Sequence, residues 1–212
     1  DTSGTYDIWR YVFTPKNYNK TIVLSSCLHG SEIVPMVVMV RFLKYLVNEW
    51  EKYPQLAYIR ENVRIVYIPF VNPWGTNQQP RTRYNSNGVD INRNFPHGWE
   101  SYNSSDPAFG HDYKGEAPAS ESETQYFMQN ISDYPDAIAC LDMHNTGLTE
   151  LNFKVALPKG YSYKQDFEQL ISYFSAKWAI TSPIVDVSES GMPTAHEYVW
   201  NTFGIPASVP EW

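Results

Sequence analysis

Thr21-Ile22-Val23-Leu24-Ser25-Ser26-Cys27-Leu28-His29-Gly30-Ser31-Glu32 is the stretch that decides how this chain folds. Its first eight residues are β-rich and run into a His-Gly-Ser turn, which reads as a strand ending in a loop. Ser31 is placed to cap the helix that follows, and Pro35 is tolerable in that helix's first turn. Val34, Val37, Val38, Arg41, Phe42, Tyr45 and Leu46 recur at helical spacing to about Trp50. A His-x-x-Glu pair is common by chance. Here the turn brings a strand-end imidazole and a first-turn carboxylate to one point.

Further along, Ala137 to Met143 reads as a buried strand delivering His144 from Leu141-Asp142-Met143-His144, and Glu211 lies near the C-terminus. Two imidazoles and one carboxylate are the ligand set of a catalytic zinc that keeps a fourth position open for water. A second carboxylate is then available as general base. On these residues the chain reads as a zinc hydrolase.

The rest of the chain alternates in the same way. Val63 to Val71 is a second apolar strand ended by Asn72-Pro73, and Trp74 to Ala119 is a long polar connection, a kind that usually carries function. Ser120-Glu121-Ser122-Glu123 has the form of a capping box opening a helix to about Ile131. Tyr163 to Trp178 reads as an amphipathic helix and Ile184 to Val187 as a short strand. Pro193 to Asn201 reads as a helix and Ile205 to Pro210 as a last strand. Strand-helix alternation predicts an α/β sheet with helices on both faces and ligands beyond the strand ends.

Composition narrows the partners. With 212 residues and 42% hydrophobic content, residues 1–212 are expected to form one domain with a sizeable core. A net charge of -7 argues against nucleic acid, for want of a basic stripe. The longest apolar run, Ile33 to Val40, is too short to span a membrane and contains Pro35. Cys27 and Cys140 fall in apolar strand-like runs and read as buried thiols. A start at Asp1 is what removal of an upstream signal or pro-segment would leave, and an extracellular or cell-envelope location is the expectation. Oligomeric state is not legible.

The stretch Thr82-Arg83-Tyr84-Asn85-Ser86-Asn87-Gly88-Val89-Asp90-Ile91-Asn92-Arg93-Asn94-Phe95 is not explained by packing; its Asn-Arg pair has the donors to hold a carboxylate in a fork. Together with HGSE, YKGEAPASESET, LDMH and GIPASVPE, it makes the chain resemble the zinc carboxypeptidase (M14) family over most of its length, from His29 to Glu211. The resemblance implies a three-layer α/β/α fold with a mixed, mostly parallel eight-stranded sheet, one zinc ion, and a peptide substrate with a free C-terminal carboxylate. By that resemblance His29, Glu32 and His144 ligate zinc, and Asp90 orients His29. Asn92 and Arg93 bind the terminal carboxylate, Arg83 polarises the scissile carbonyl with Arg81 competing for that role, and Glu211 is the general base. Met192, Pro193 and Thr194 are candidates for the specificity pocket, and the remaining histidines His97, His111 and His196 are read as surface or hydrogen-bonding residues.

Two departures from the family pattern stand out. Asp186-Val187-Ser188-Glu189-Ser190 stands where digestive members carry a mobile tyrosine; Tyr198, nearer Glu211, is the candidate in its place. The chain stops at Trp212, where the family usually continues with another helix, so a C-terminal truncation is expected. The compact Arg83-to-Asn92 spacing is similar to bacterial and phage members that cut γ-D-glutamyl-diaminopimelate cell-wall peptides. Two alternatives remain: a deacylase of N-acyl amino acids, of the desuccinylase or aspartoacylase kind, and an inactive zinc-binding recognition module.

Overall fold

A computed structural model describes residues 1–145, 154–160, 162, 165, 166, 168, 169, 172, 184–187 and 191–211. Along the chain it places β1 (Tyr11–Phe13), β2 (Lys20–Ser26), α1 (Val34–Asn48), α2 (Pro54–Asn62), β3 (Val63–Ile68) and α3 (Pro73–Asn77). After the long connection come α4 (Ser122–Ser132), β4 (Ala139–Met143), β5 (Lys154–Leu157), β6 (Ile184–Val187), α5 (Ala195–Phe203) and β7 (Ala207–Glu211). Single 3-10 turns cover Trp50–Lys52 and Ile91–Arg93.

The strands form a seven-stranded sheet among the described residues, in the order β1-β3-β2-β4-β7-β5-β6. The pairs β1-β3 and β5-β7 are antiparallel and the rest parallel, so the sheet is mixed and mostly parallel. Strand alternation divides the core in two. Val23, Val66, Ile68, Cys140 and Ala207 face α4 and α5, against Phe127, Ile131, Tyr198 and Val199. Leu24, Ile65, Tyr67 and Met143 face α1 and α2, against Met39, Leu46 and the half-buried Phe42, Leu56 and Ile59. The three-layer α/β/α expectation is met.

Chain order explains where a ligand can bind. From β2 the chain passes by α1 and α2 to β3 on one side, then returns by α4 to β4 on the other side of β2. The crossovers use opposite faces, so a crevice opens beyond the C-terminal ends of β2 and β4, and β7 runs parallel beside β4. His29 follows β2, His144 ends β4, and Glu211 ends β7.

Several local expectations fail for identifiable reasons. β3 stops at Ile68 and not at Val71, because Pro69 has no N–H for the ladder. Ser31 does not cap α1: the cap residue is Ile33, without a side-chain bond, because the Glu32 N–H turns back to the His29 carbonyl at 3.0 Å. The capping box at Ser120 does not form either. The cap is Glu121, Ser120 Oγ donates to the Glu121 carboxylate at 2.6 Å, and Glu123 is taken by the Thr2 N–H at 3.0 Å. β1 and α2 were not foreseen; α2 shows little apolar periodicity and is held by packing on α1 and β3. The Tyr163–Trp178 helix lies largely outside the described residues, as do Ser188, Glu189 and Ser190. Gly204, at φ +67°, ends α5 in the left-handed conformation, its N–H on the Trp200 carbonyl at 2.9 Å.

Candidate metal centre

The turn after β2 is braced from outside. Cys27 takes φ +57°, uncommon for a residue with a Cβ, which swings the chain out of the sheet, and its carbonyl receives the Asn72 N–H at 2.9 Å. Asn72 Oδ1 then accepts the Gly75 N–H at 2.9 Å and caps α3. Gly30 lies so close to the Gly75 backbone that a Cβ there would collide with it. Those contacts hold His29 and Glu32 at the mouth of the crevice.

Three donor groups converge there. Glu32 Oε1 lies 2.8 Å from His29 Nδ1, Glu32 Oε2 lies 2.9 Å from His144 Nδ1, and the two Nδ1 atoms are 3.0 Å apart. The far nitrogen of each ring is committed: His29 Nε2 to Asp90 Oδ1 at 3.1 Å, and His144 Nε2 to Asp142 Oδ2 at 2.7 Å. An ionised carboxylate only accepts, so both Nε2 atoms carry protons and both Nδ1 atoms present lone pairs. Two lone pairs and a carboxylate facing one another repel unless positive charge, a metal ion or a proton, sits among them. Ligands of a tetrahedral zinc at its usual bond lengths are roughly 3.3 Å apart, close to the observed triangle. His29, Glu32 and His144 could thus hold a metal ion, and the N,N,O donor set suits zinc.

Charge leads to the same place. Three carboxylates, Glu32, Asp90 and Asp142, crowd the two imidazoles, and of these Arg83 pairs with Glu32 and Asp90 only, so the centre favours a cation. Burial opposes charge on His144, yet Asp142 and Glu32 outweigh it and raise its pKa well above the ordinary imidazole value. Burial likewise opposes charge on Glu32, but His144 and His29 pull its pKa far below the carboxylate range. Asp90 and Asp142 are also depressed against burial, chiefly by His29 and His144 respectively.

Asp90 joins this centre to the loop behind it. Its Oδ1 accepts the His29 Nε2–H and also the Asn92 N–H at 2.9 Å; its Oδ2 accepts Arg83 Nε at 2.9 Å and lies 2.8 Å from Arg83 NH2. Arg83 Nε also meets the His111 carbonyl at 3.1 Å, and its NH1 lies 3.2 Å from His29 Nδ1. Arg81 is elsewhere: it is exposed and lines a groove of about 540 Å³ with Trp9, Met36 and Phe70. Asn92 Oδ1 accepts the Ala195 N–H at 2.9 Å, tying the loop to the start of α5. Arg93 donates to the Asn92 carbonyl at 2.8 Å and the Tyr102 hydroxyl at 3.3 Å, and pairs with Asp112 at 3.0 Å.

Glu211 bridges His144 in parallel register, and the His144 N–H bonds the Pro210 carbonyl at 2.9 Å. Alternation from the pair Cys140–Ala207 sets Glu211 on the same face as Asp142 and His144. Tyr198 is a correction: its ring packs in the core, 5.7 Å from Phe95 and 5.8 Å from Phe203, and not in the crevice. Thr194 is buried with its hydroxyl 3.1 Å from His196 Nδ1, whereas Met192 is half-buried beside it. Cys27 and Cys140 are free buried thiols; burial raises Cys27 to about 12.

Four partners escaped the sequence reading: Asp142, the His111 carbonyl, Tyr102 and Asp112. Only Asp142 had a signal, its position two residues before His144 on a strand, where alternation puts both on one face. Of the two roles read for His196, surface or hydrogen-bonding, it takes the second: it is buried with Nδ1 3.1 Å from the Thr194 hydroxyl.

Comparison with known proteins bears on the family and the fold. A model described as zinc carboxypeptidase matches residues 5–191. Metallocarboxypeptidase A of Trichophyton tonsurans is 26% identical over 162 residues, covering 69% of this chain and 37% of that protein. The chain thus spans little more than a third of that relative's length. Among solved structures, thrombin activatable fibrinolysis inhibitor superposes with a TM-score of 0.83 at 14% identity, covering 99% of this chain and 58% of that one. Carboxypeptidase A from Helicoverpa armigera does so with a TM-score of 0.72 at 19% identity, covering 91% and 52%. Since the family model takes in most of the sequence, including His29, Glu32, Asp90 and His144, the chain belongs to the zinc carboxypeptidase family.

Proposed function

We propose that residues 1–212 form one catalytic unit of a zinc-dependent metallocarboxypeptidase that hydrolyses the C-terminal amide bond of a peptide with a free carboxylate. The observation that carries this is Asp90, whose Oδ1 serves both His29 of the donor triangle and the backbone of Asn92 beside Arg93. One carboxylate thereby fixes the distance between the metal centre and a cationic anchor.

Zinc, held by His29, Glu32 and His144, would supply the Lewis acidity that makes water a nucleophile near neutral pH and polarises a carbonyl. The chain's own groups do the rest. Asp90 and the His111 carbonyl hold Arg83 so that NH1 faces the triangle, where it can stabilise negative charge developing on the scissile oxygen. Glu211, beside His144 on the same face, takes a proton from the attacking water and returns it to the leaving amine. With Oδ1 occupied by Ala195, the Asn92 amide meets the substrate carboxylate through Nδ2. Arg93, steadied by Asp112 and Tyr102, offers its remaining N–H groups to the same carboxylate.

We further propose a cell-wall peptide of the γ-D-glutamyl-diaminopimelate type as substrate, with an extracellular or cell-envelope site of action. The support is the compact Arg83-to-Asn92 spacing, similar to members that cut such peptides. The test is mass spectrometry of zinc-loaded protein with paired peptides, identical but for free or amidated C-termini, with cell-wall peptides in the set. Loss of one residue from the free-acid members alone is expected. Equal cleavage of both members would remove Asn92 and Arg93 as the anchor. Release of acyl groups from N-acyl amino acids without peptide cleavage would replace this reading with the deacylase, and zinc binding with no turnover would replace it with the recognition module.

A further inference from the structure

α4 starts without a cap of its own: Glu121 precedes it and makes no side-chain capping bond. The missing acceptor comes from the N-terminal segment. Thr2 Oγ1 accepts the Ser122 N–H at 3.0 Å and donates to Glu123, whose other oxygen takes the Thr2 N–H at 3.0 Å. Thr2 thus serves the first turn of α4 as a cap residue would.

Glu121 and Glu123 are both buried, and among the described residues no cation pairs with either. Hydrogen bonds alone must therefore replace the water they have lost. Glu121 takes the Asn85 amide at 2.7 Å, the Asn87 amide at 3.0 Å and the Ser120 hydroxyl at 2.6 Å. Glu123 shares the Asn85 amide at 3.3 Å, and its other two donors both belong to Thr2.

Asn85 in turn closes the hairpin between Arg83 and Asp90. Its Oδ1 accepts the Asn87 and Val89 N–H groups at 3.1 and 3.0 Å, its own N–H bonds the Val89 carbonyl at 3.0 Å, and its carbonyl takes the Gly88 N–H at 3.0 Å. That hairpin folds the chain back so that the Arg83 guanidinium meets the Asp90 carboxylate. Without the Thr2 hydroxyl, Glu123 would draw on the amide that Glu121 now holds and pull Asn85 from its place.

We propose that Thr2 is a positioning residue for Arg83, acting through Glu123 and Asn85 on the hairpin that sets Arg83 against Asp90. The proposal rests on Arg83 being the group that stabilises the scissile oxygen.

Hydrogen exchange by mass spectrometry on zinc-loaded protein reads the coupling without turnover. In Thr2→Val the amides of Asn87, Gly88 and Val89 exchange about three- to tenfold faster, the scale of one hydrogen bond, while those of β2 and β4 keep their rates. Thr2→Ser, which keeps the hydroxyl, matches the parent. On free-acid peptides, at equal zinc content, kcat of Thr2→Val falls by a similar factor at unchanged KM, as loss of a contact made only in the transition state requires, and Thr2→Ser restores it. Acceleration confined to α4 makes Thr2 a helix cap alone and overturns the proposal. So does acceleration throughout the chain, no acceleration, or a loosened hairpin with unchanged kcat. A loosened hairpin in a protein whose parent cleaves no peptide supports the coupling while removing the peptidase reading, so the two fail separately.

Discussion

His144 Nε2 lies 2.7 Å from Asp142 Oδ2, two residues earlier on the same strand. The Ser25 hydroxyl holds the other oxygen at 2.7 Å, so the carboxylate is buried and fully engaged. The ring is thereby fixed with Nδ1 toward Glu32 and His29, and its basicity is raised.

Asp142→Asn keeps the shape but can turn its amide N–H toward His144, which favours the tautomer that protonates Nδ1. Zinc affinity is expected to fall about 10- to 100-fold, the usual size for the loss of such a partner. Competition with a chromophoric chelator measures it, and an unchanged affinity would contradict the tautomer argument.

The repulsion within the donor triangle predicts that metal stabilises the fold. At free zinc about 100-fold above Kd, the unfolding free energy should rise by about 2.7 kcal/mol over chelated protein. Urea unfolding with zinc and with chelator is the measurement; coincident curves would mean that the triangle holds no metal.

Glu211→Gln removes the proton acceptor without removing a ligand. Turnover is expected to fall about 10²- to 10⁴-fold while one zinc per chain is retained. Turnover at the parent's rate would dismiss Glu211 as the base, and loss of zinc would recast it as a ligand.

Asp112→Asn weakens the support of Arg93 while leaving the metal centre untouched. KM for free-acid peptides should rise roughly two- to fivefold, the scale of a half-exposed ion pair, with kcat unchanged. A fall in kcat at constant KM would place Arg93 at the reacting bond instead.

His196 predicts a pH dependence of stability. Its folded pKa of about 3 lies below the unfolded value, so the unfolded chain binds the extra proton as pH falls below about 6.5. The contribution is complete above that value and is lost toward acid pH at about 1.4 kcal/mol per pH unit until the folded pKa is reached. Urea unfolding between pH 7 and 4.5 should show a shallower decline for His196→Gln than for the parent. Parallel declines would mean that His196 is already charged in the fold.

What can be read from the sequence is what local chemistry imposes. The run from Thr21 to Ser26 is legible as a buried strand, although the strand ends two residues short of the expected Leu28, and the turn after it brings a histidine and a glutamate three residues apart toward one another. Val34 to Leu46 repeat at the helical period, and the strand ending at Met143 hands over His144. Asp142 is equally legible, since alternation alone puts it on the face of His144. The positions of Asp112, Tyr102 and the His111 carbonyl were not, because each meets Arg83 or Arg93 across a loop that has no period to read. Tyr198 looked like a substrate contact by its distance from Glu211 along the chain, and only packing against Phe95 and Phe203 shows it in the core. Ser31 and Ser120 have the form of helix caps, yet a turn closed by the Glu32 N–H on the His29 carbonyl delays the first helix to Ile33, and Thr2 and Glu121 take the side chains of the second pair. Periodicity and turn chemistry act within a few residues and therefore survive in one dimension. The partners of a buried charge are chosen by through-space distance, and only the folded chain sets that distance.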